Sequence, residues 1–213
     1  MNLLFDLDGT LTDPVVGITT CIQHALRQLG REPPERSELT RYIGPPLRAT
    51  FAELLVTDDQ SLVHQAMVWY RERFEAVGMF ENEVYPDVPT GLEALVAKGH
   101  RLFVATSKPR VFAERIIDHF GLSAYFVAVY GSELDGRNSS KVDLIQCLLK
   151  NECLDLADTW MIGDRAQDVR GGRANGIRTI GVLWGYGSQD ELRAADADLL
   201  VHNMSQVVDT MCH

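Results

Sequence analysis

The stretch LLFDLDGTLTD, residues 3–13, ends an apolar run with two aspartates separated by one leucine. In an extended strand, side chains two positions apart point to the same side, so Asp6 and Asp8 leave the strand end together. Two buried carboxylates at this spacing repel each other and lose solvation. A cation between them would relieve both costs, and oxygen ligands favour a hard ion such as Mg²⁺. The pair alone is more typical of an acidic turn, but the full stretch strongly favours a metal site.

The composition bounds the class of protein. The chain has 213 residues, of which 46% are hydrophobic and 23% charged, which is typical of a soluble globular protein with a substantial core. The formal net charge of −10 argues against a nucleic-acid binder and against a protein that binds anionic membranes. An anionic substrate would therefore have to be attracted locally, by a metal ion or by a few placed cations.

Cysteine usage and the N-terminus predict a cytoplasmic location. No C-x-x-C pair occurs among the four cysteines, which we interpret as reduced structural thiols: Cys21, Cys147, Cys153 and Cys212. No basic segment followed by an apolar run marks a signal peptide. No apolar stretch approaches the roughly 20 residues of a membrane span. The oligomeric state is not encoded in any pattern that we recognise.

Six short apolar runs, each followed by polar or glycine-rich residues, alternate with helical patterns. This alternation predicts an α/β fold with a mainly parallel sheet, in which ligands bind beyond the carboxyl ends of the strands. The runs cover residues 3–7, 102–105, 126–130, 160–162, 179–183 and 199–201.

Residues 14–82 interrupt the alternation, because they show helical patterns and no convincing strand. We predict helices over 15–29, 34–42, 46–55 and about 58–77, the last capped by Asp58 and ended by Gly78. The interruption favours a helical cap, residues 14–82, inserted into a core of residues 1–13 and 83–213. Helices packed on the sheet within one domain would give the same periodicity.

Polar residues follow the later strands. Thr106 ends the second run, and Ser107 or Lys108 could precede a helix with Pro109 in its first turn, where free backbone N–H groups could bind a phosphate. Such caps also occur at many strand–helix junctions without any ligand. Lys141 begins a helical pattern, where a cation opposes the helix dipole unless its ammonium meets an anion. A solvated surface lysine is the plain alternative.

The fourth run is followed by Asp164 and, four residues later, by Asp168. If a helix starts near Asp164, both carboxylates face one side over a single turn. Acidic residues in the first turn also simply favour helix formation, and this reading is stronger for Asp168 than for Asp164.

In this order, DxDGT, Thr106, Lys141 and the GDxxxD of residues 163–168 resemble the motifs of the haloacid dehalogenase-like superfamily. The resemblance covers the chain to about residue 183. The segments LWGYG, residues 183–187, and IGPPL, residues 43–47, are similar to its phosphoglycolate phosphatase-like branch, which also contains pyrophosphatases and nucleotidases. The resemblance implies a Rossmann-like core with an all-helical cap.

The resemblance also implies roles for individual residues. Asp6 would attack phosphorus and form an aspartyl-phosphate, while Asp8 would protonate the leaving oxygen and later activate water. Mg²⁺ would be held by the Asp6 carboxylate, the Asp8 backbone carbonyl and Asp164, and Asp168 would support it from outside the ligand shell. The phosphoryl oxygens would be bound by Thr106, the Ser107 backbone N–H and Lys141.

Substrate contacts are less determined by the sequence. Arg48, after the turn of residues 44–47, is the best candidate in the cap, and a solvated arginine explains it equally well. Lys108 and Arg110 could attract anions near the core site, although exposed cations are the plainer reading. We expect a Mg²⁺-dependent phosphatase for a small phosphorylated metabolite, such as phosphoglycolate or a nucleoside monophosphate.

Other functions fit parts of this pattern. A pyrophosphatase or a sugar-phosphate mutase of the same superfamily would share every motif. A dehalogenase would not need Asp8, and a receiver domain would show a different motif order. A non-catalytic phosphate-binding regulator would not require the acid/base carboxylate. Sugar phosphates also remain open as substrates.

Overall fold

The structure, a computed structural model, describes residues 1–211, so Cys212 of the cysteine prediction lies outside the described residues. The remaining three cysteines, Cys21, Cys147 and Cys153, are free thiols. The chain divides into two compact units. We call Met1–Asp13 together with the chain from Val84 onward the core unit, and Pro14–Glu83 the helical unit.

The core unit is built on a six-stranded parallel sheet. Its strands are mostly buried and rich in apolar residues, as expected when helices cover both faces of a parallel sheet. Two further short strands, β2 and β3, form a separate two-stranded sheet. The eight strands of residues 1–211 are β1 (Asn2–Phe5), β2 (Thr12–Asp13), β3 (Glu83–Val84), β4 (Arg101–Pro109), β5 (Phe126–Ser132), β6 (Thr159–Gly163), β7 (Arg178–Val182) and β8 (Leu199–Val201).

The strand order of the large sheet is β5-β4-β1-β6-β7-β8, which places β1 in the middle. Phe5, the last residue of β1, pairs with Val104 of β4 on one side and with Ile162 of β6 on the other. The carboxyl ends of β1 and β6 therefore lie side by side, next to the middle of β4, which continues to Pro109. The predicted fold class, a mainly parallel α/β sheet, is confirmed.

Residues 1–211 contain ten α-helices, with short 3₁₀ helices between some of them. In the helical unit these are α1 (Val15–Gln28), α2 (Arg36–Leu39), α3 (Leu47–Leu55) and α4 (Gln60–Ala76). In the core unit they are α5 (Val88–Ala97), α6 (Arg110–His119), α7 (Lys141–Asn151), α8 (Ala166–Ala174), α9 (Gln189–Ala194) and α10 (Met204–Met211).

Each unit has its own apolar core. In the core unit, α7 packs on the sheet and buries a cluster formed by Leu4, Phe103, Ala105, Ile145, Leu148, Leu149, Leu154, Met161 and Ile177. In the helical unit, the ring of Tyr70 stacks on Phe74 at 5.4 Å between centroids and meets the edge of Phe51 at 6.1 Å. Such aromatic pairs contribute about 0.5–1.5 kcal/mol beyond their buried area.

Three helix starts differ from the sequence predictions. The strand β4 continues through Pro109, which pairs with Ser132 after a register shift, so α6 begins at Arg110 and the predicted helix start at Ser107 or Lys108 is wrong. The helix α8 begins at Ala166 rather than near Asp164.

The third difference lies in the helical unit. The start of α4 is capped by Asp59 instead of Asp58, because the carboxylate of Asp59 accepts the backbone N–H groups of Ser61 and Leu62.

Candidate active site

The carboxyl edge of the sheet collects buried polar side chains from three adjacent strands. Asp6 follows β1, Asp164 follows β6, and Thr106 lies within β4, two residues after Val104, which pairs with Phe5 of β1. The backbone N–H of Asp6 donates to the carbonyl oxygen of Ile162 at 2.9 Å, which continues the pairing of β1 with β6 for one residue. The structure therefore brings together three residues that are up to 158 positions apart in the sequence, from Asp6 to Asp164.

Lys141 is the first residue of α7, and its ammonium lies among acceptors of the core unit. Its Nζ is 3.1 Å from Asp6 Oδ1 and 2.6 Å from Asp168 Oδ1, and it donates to the carbonyl oxygen of Ala105 at 2.9 Å. The side chain is 4% exposed. Burial alone would lower the pKa of Lys141, but the charges of Asp168 and Asp6 outweigh it and raise that pKa. The lysine is therefore a buried cation, not a solvated surface group.

Asp6, Asp164 and Asp168 form an acidic triad in which one carboxylate oxygen of each residue lies within 4.8 Å of the others. Burial raises the pKa of Asp164, and burial opposed by Lys141 raises the pKa of Asp168 to about 6. The positive charge of Lys141 can neutralise only one of the three carboxylates of the triad. Oxygen donors, burial and excess negative charge together fit a hard divalent cation such as Mg²⁺.

The predicted ligand set and this triad overlap in part. Asp6 and Asp164 belong to both, whereas Asp168 joins the triad although the sequence placed it outside the ligand shell. In the structure the Asp168 side chain is already engaged, because its Oδ1 meets Lys141 and its Oδ2 accepts the backbone N–H of Arg165 at 3.1 Å. Its contacts are compatible with a supporting position.

Asp8 has a different partner. Lys108 Nζ donates to Asp8 Oδ1 at 2.7 Å, with the two side chains 7% and 9% exposed. Burial raises the pKa of Asp8, and the nearby Lys108 opposes this rise. Lys108 is thus a buried group in contact with the second aspartate of the opening motif, and the plain reading of an exposed cation is wrong for it.

A segment after β7, residues 183–187, surrounds Asp164. The backbone N–H of Tyr186 donates to Asp164 Oδ2 at 2.8 Å, and Trp184 Nε1 donates to the carbonyl oxygen of Thr10 at 3.0 Å. The Tyr186 hydroxyl also donates to Asp13 Oδ1. We name residues 183–187 the clasp segment. The sequence marked this segment only as a family resemblance and assigned no role to any of its residues.

Glycines make this close packing possible. A Cβ atom on Gly187 would overlap the carbonyl oxygen of Asp164, and one on Gly185 would overlap both Gly9 and Asp164. Gly9 itself has φ +83°, and a Cβ there would overlap the Asp164 carboxylate. Repeated glycines beside a strand-end aspartate are the sequence signal that could have identified this contact.

The remaining predicted contacts are less distinctive. The Thr106 hydroxyl accepts the backbone N–H of Lys108 at 3.3 Å, and the Ser107 carbonyl oxygen accepts the Ser132 hydroxyl at 2.9 Å. Arg110 is exposed and pairs with the carboxylates of Glu114 in α6 and of Glu133, the residue after β5. Arg48 belongs to the helical unit, where it is exposed and donates to Gln60 Oε1 at 2.8 Å.

Comparison with known proteins identifies the family. The model of the haloacid dehalogenase-like hydrolases matches residues 3–182. The chain belongs to this family. It is 50% identical over 193 residues to a 5'-nucleotidase of Pseudomonas aeruginosa, covering 91% of this chain and 87% of that protein. The crystal structure of a predicted phosphatase from Clostridium acetobutylicum is 40% identical in sequence, and the match covers 99% of this chain and 97% of that chain with a TM-score of 0.95.

Other relatives carry different names. A protein of Mycobacterium tuberculosis named tyrosine-protein kinase PtkA is 36% identical and covers 94% of this chain and 68% of its own length. A phosphoglycolate phosphatase of Aquifex aeolicus is 29% identical and covers 86% of this chain and 85% of its own. The predicted family and the enzyme class, a phosphatase, are confirmed. No helix within residues 1–211 is long and apolar enough to cross a membrane.

Proposed function

We propose that this chain is a Mg²⁺-dependent phosphatase that hydrolyses a small phosphorylated metabolite through an aspartyl-phosphate on Asp6. The observation that carries the proposal is the acidic triad, which lies beside a buried lysine at the carboxyl edge of the sheet. Asp8 follows two residues after the nucleophile and has its own cation. A non-catalytic phosphate-binding protein would not need this second carboxylate.

The proposed reaction divides the work between the two aspartates. An Asp6 carboxylate oxygen attacks phosphorus, and the bond to the leaving oxygen breaks while Asp8 gives that oxygen a proton. Asp8 then accepts a proton from a water molecule, which attacks the phosphoryl group and releases phosphate and free Asp6. Lys141, the Thr106 hydroxyl and the Ser107 backbone N–H stabilise the phosphoryl oxygens.

Residues for the metal are part of the same proposal. Asp6, Asp164 and the backbone carbonyl of Asp8 would hold Mg²⁺, and Asp168 would support them while it orients Lys141. The ion would neutralise the triad and polarise the phosphoryl group.

Substrate choice is assigned to the helical unit, which we propose acts as a cap with Arg48 as a substrate contact. The relative with 50% identity is named a 5'-nucleotidase, and this favours nucleoside monophosphates over phosphoglycolate as the substrate class.

A phosphate-release assay tests the proposal. The purified protein is given nucleoside monophosphates, phosphoglycolate, pyrophosphate and a hexose phosphate, first with Mg²⁺ and then with excess chelator. We expect nucleoside monophosphates to be the fastest substrates and chelator to lower the rate about 100-fold or more, with recovery when Mg²⁺ is restored. Full activity in chelator would contradict the metal assignment. Fastest turnover of pyrophosphate would favour the pyrophosphatase alternative.

A further inference from the structure

The contact between Lys108 and Asp8 joins residues that are 100 positions apart in the chain. The ammonium reaches one carboxylate oxygen, Oδ1, and both side chains are almost fully buried. Burying two charges costs several kcal/mol of desolvation per ion before their attraction repays it, so a buried pair is a weak source of stability. A role in the reaction is the better account of its position.

The backbone that carries Lys108 is held in place on both sides. Its N–H donates to the Thr106 hydroxyl at 3.3 Å, and the preceding carbonyl oxygen, on Ser107, accepts the Ser132 hydroxyl at 2.9 Å. On the neighbouring strand, a Cβ atom on Gly131 would lie 2.6 Å from the Lys108 carbonyl oxygen, which leaves no room for a side chain there. Because this backbone is fixed near the end of β4, the ammonium of Lys108 is placed at Asp8.

The site therefore contains two buried lysines with different tasks. Lys141 contacts Asp6 and Asp168, whereas Lys108 contacts Asp8. Asp6 needs to be held for attack on phosphorus, and Asp8 needs to be held for proton transfer. The two aspartates are close in sequence but are held by two different cations, Lys108 of β4 and Lys141 of α7.

We propose that Lys108 is a positioning residue that holds Asp8 by Oδ1 and leaves Oδ2 for proton transfer to the leaving oxygen. This inference rests on the proposed function, and it differs from a role for Lys108 in substrate binding. General acid catalysis depends on hydrogen-bond reach between the acid and the leaving oxygen. Loss of Lys108 should therefore harm substrates with poor leaving groups more than substrates whose leaving group needs no proton.

The test compares a nucleoside monophosphate with 4-nitrophenyl phosphate, whose leaving group is already stable as an anion. We expect Lys108→Met to lower kcat/KM about 100-fold for the nucleotide and only about 5-fold for the aryl phosphate, an approximately 20-fold change in their ratio. Lys108→Arg keeps a cation on Asp8 and should retain more of the nucleotide activity. If Lys108→Met does not fold, Lys108→Gln is used for the same comparison.

Two further variants make the result specific. Arg110→Met removes a nearby exposed cation that does not pair with Asp8, and it should leave the ratio of the two substrates within about 2-fold. In an Asp8→Asn background, Lys108→Met should add no further change in the ratio, because the group it positions is already absent.

The outcomes separate this inference from the proposed function. If Asp8→Asn shows no leaving-group dependence, the proposed proton transfer fails. If Asp8→Asn shows it but Lys108→Met lowers both substrates equally, Lys108 binds the phosphoryl group or maintains the fold, and the positioning role is overturned. Wild-type kinetics in Lys108→Met would overturn it as well.

Discussion

Charges are treated differently at the carboxyl edge of the core unit and in the helical unit. At the edge, Lys108 and Lys141 are almost fully buried and contact carboxylates directly. In the helical unit, Arg41 and Glu53 form a pair whose side chains are 68% and 60% exposed. Exposed ion pairs contribute little to stability, whereas buried ion pairs carry a large desolvation cost.

This contrast in burial marks the part of the chain in which the chemistry is encoded. Buried charges persist only when their partners are in place, so the edge of the sheet requires particular residues at particular positions. The surface of the helical unit tolerates substitution. A residue there that contacts the substrate would not need a buried charged partner, so burial does not identify it. We therefore expect substitutions at the edge to affect turnover on every substrate, and substitutions in the helical unit to affect substrate preference or stability alone.

Lys141→Ala should have a larger effect on turnover than any substitution in the clasp segment or in the helical unit. Turnover is expected to fall about 1,000-fold for nucleotide and aryl phosphate alike, because the lost ammonium stabilises the transferred phosphoryl group. Asp6 and Asp168 lose a partner, so the free energy of unfolding should also fall by about 3 kcal/mol. Steady-state kinetics below the melting temperature and chemical denaturation measure the two effects. Lys150→Ala, at an exposed position of the same helix, is the matched control and should behave as wild type.

Gly187→Ala tests the clasp segment. The added Cβ would overlap the Asp164 carbonyl oxygen, so the segment must move and the Tyr186 N–H loses its contact with the Asp164 carboxylate. We expect about a 100-fold loss of turnover, with a higher Mg²⁺ concentration needed for half-maximal rate.

The control for this substitution is Gly30→Ala in the helical unit. Gly30 has φ +69° and nothing within 4 Å of an added Cβ, so backbone strain is the only cost. It should lower the free energy of unfolding by about 1 kcal/mol without changing the Mg²⁺ requirement. An unchanged Mg²⁺ requirement in Gly187→Ala would show that the clasp segment does not position Asp164.

Arg48→Ala should act on substrate preference. If the arginine contacts the substrate, kcat/KM should fall about 10-fold for the preferred metabolite and less than about 2-fold for 4-nitrophenyl phosphate. Gln60→Ala removes the hydrogen-bond partner of Arg48 but keeps the guanidinium, so it serves as the control. Equal losses on both substrates would show that Arg48 acts on folding or on the shared phosphoryl chemistry.

Glu81→Gln should affect stability only. The Arg73 guanidinium donates to both Glu81 oxygens, at 2.7 and 2.9 Å, and these hydrogen bonds lower the pKa of the Glu81 carboxyl. The stabilisation is therefore present above the unfolded pKa of about 4.3 and is lost as the pH falls through the lower folded value.

At pH 7 the substitution should cost about 1 kcal/mol, since the side chains of Arg73 and Glu81 are 21% and 27% exposed and are partly screened by solvent. Melting temperatures measured across pH should show the difference between wild type and Glu81→Gln shrinking once the pH falls below about 4.3. Glu53→Gln, in the exposed pair, should show no resolvable change at any pH. A difference that persists at low pH would contradict the ion-pair explanation for Glu81.

Much of the fold follows from local patterns in the sequence. All six apolar runs form the strands of the large sheet, because alternation of buried strands with amphipathic helices leaves few other arrangements. Helix starts were less predictable. Pro109 resembles an early helical residue, yet it pairs with Ser132 on β5, and a partner 23 residues later leaves no local signal.

Contacts between residues that are distant in the chain also limited what could be predicted of the site. Parallel pairing of β1 with β4 and β6 explains why Asp6, Thr106 and Asp164 meet, so strand-end residues are good candidates from sequence alone. The sequence suggests Lys108 only as an exposed cation that could attract anions, because its partner, Asp8, is 100 positions away in the chain. The role of the glycines in the clasp segment was missed, since only packing against Asp164 reveals why a Cβ is excluded.

The proposed mechanism makes Asp6 the nucleophile and Asp8 the acid and base. Intact-mass measurement after mixing with an activated aryl phosphate and Mg²⁺ tests it most directly. In Asp8→Asn, attack can proceed while hydrolysis of the intermediate stalls, so we expect a trapped phosphoryl adduct that peptide mapping places on Asp6. In Asp6→Asn no adduct should form. An adduct of equal amount in Asp6→Asn would place the nucleophile elsewhere and contradict the account.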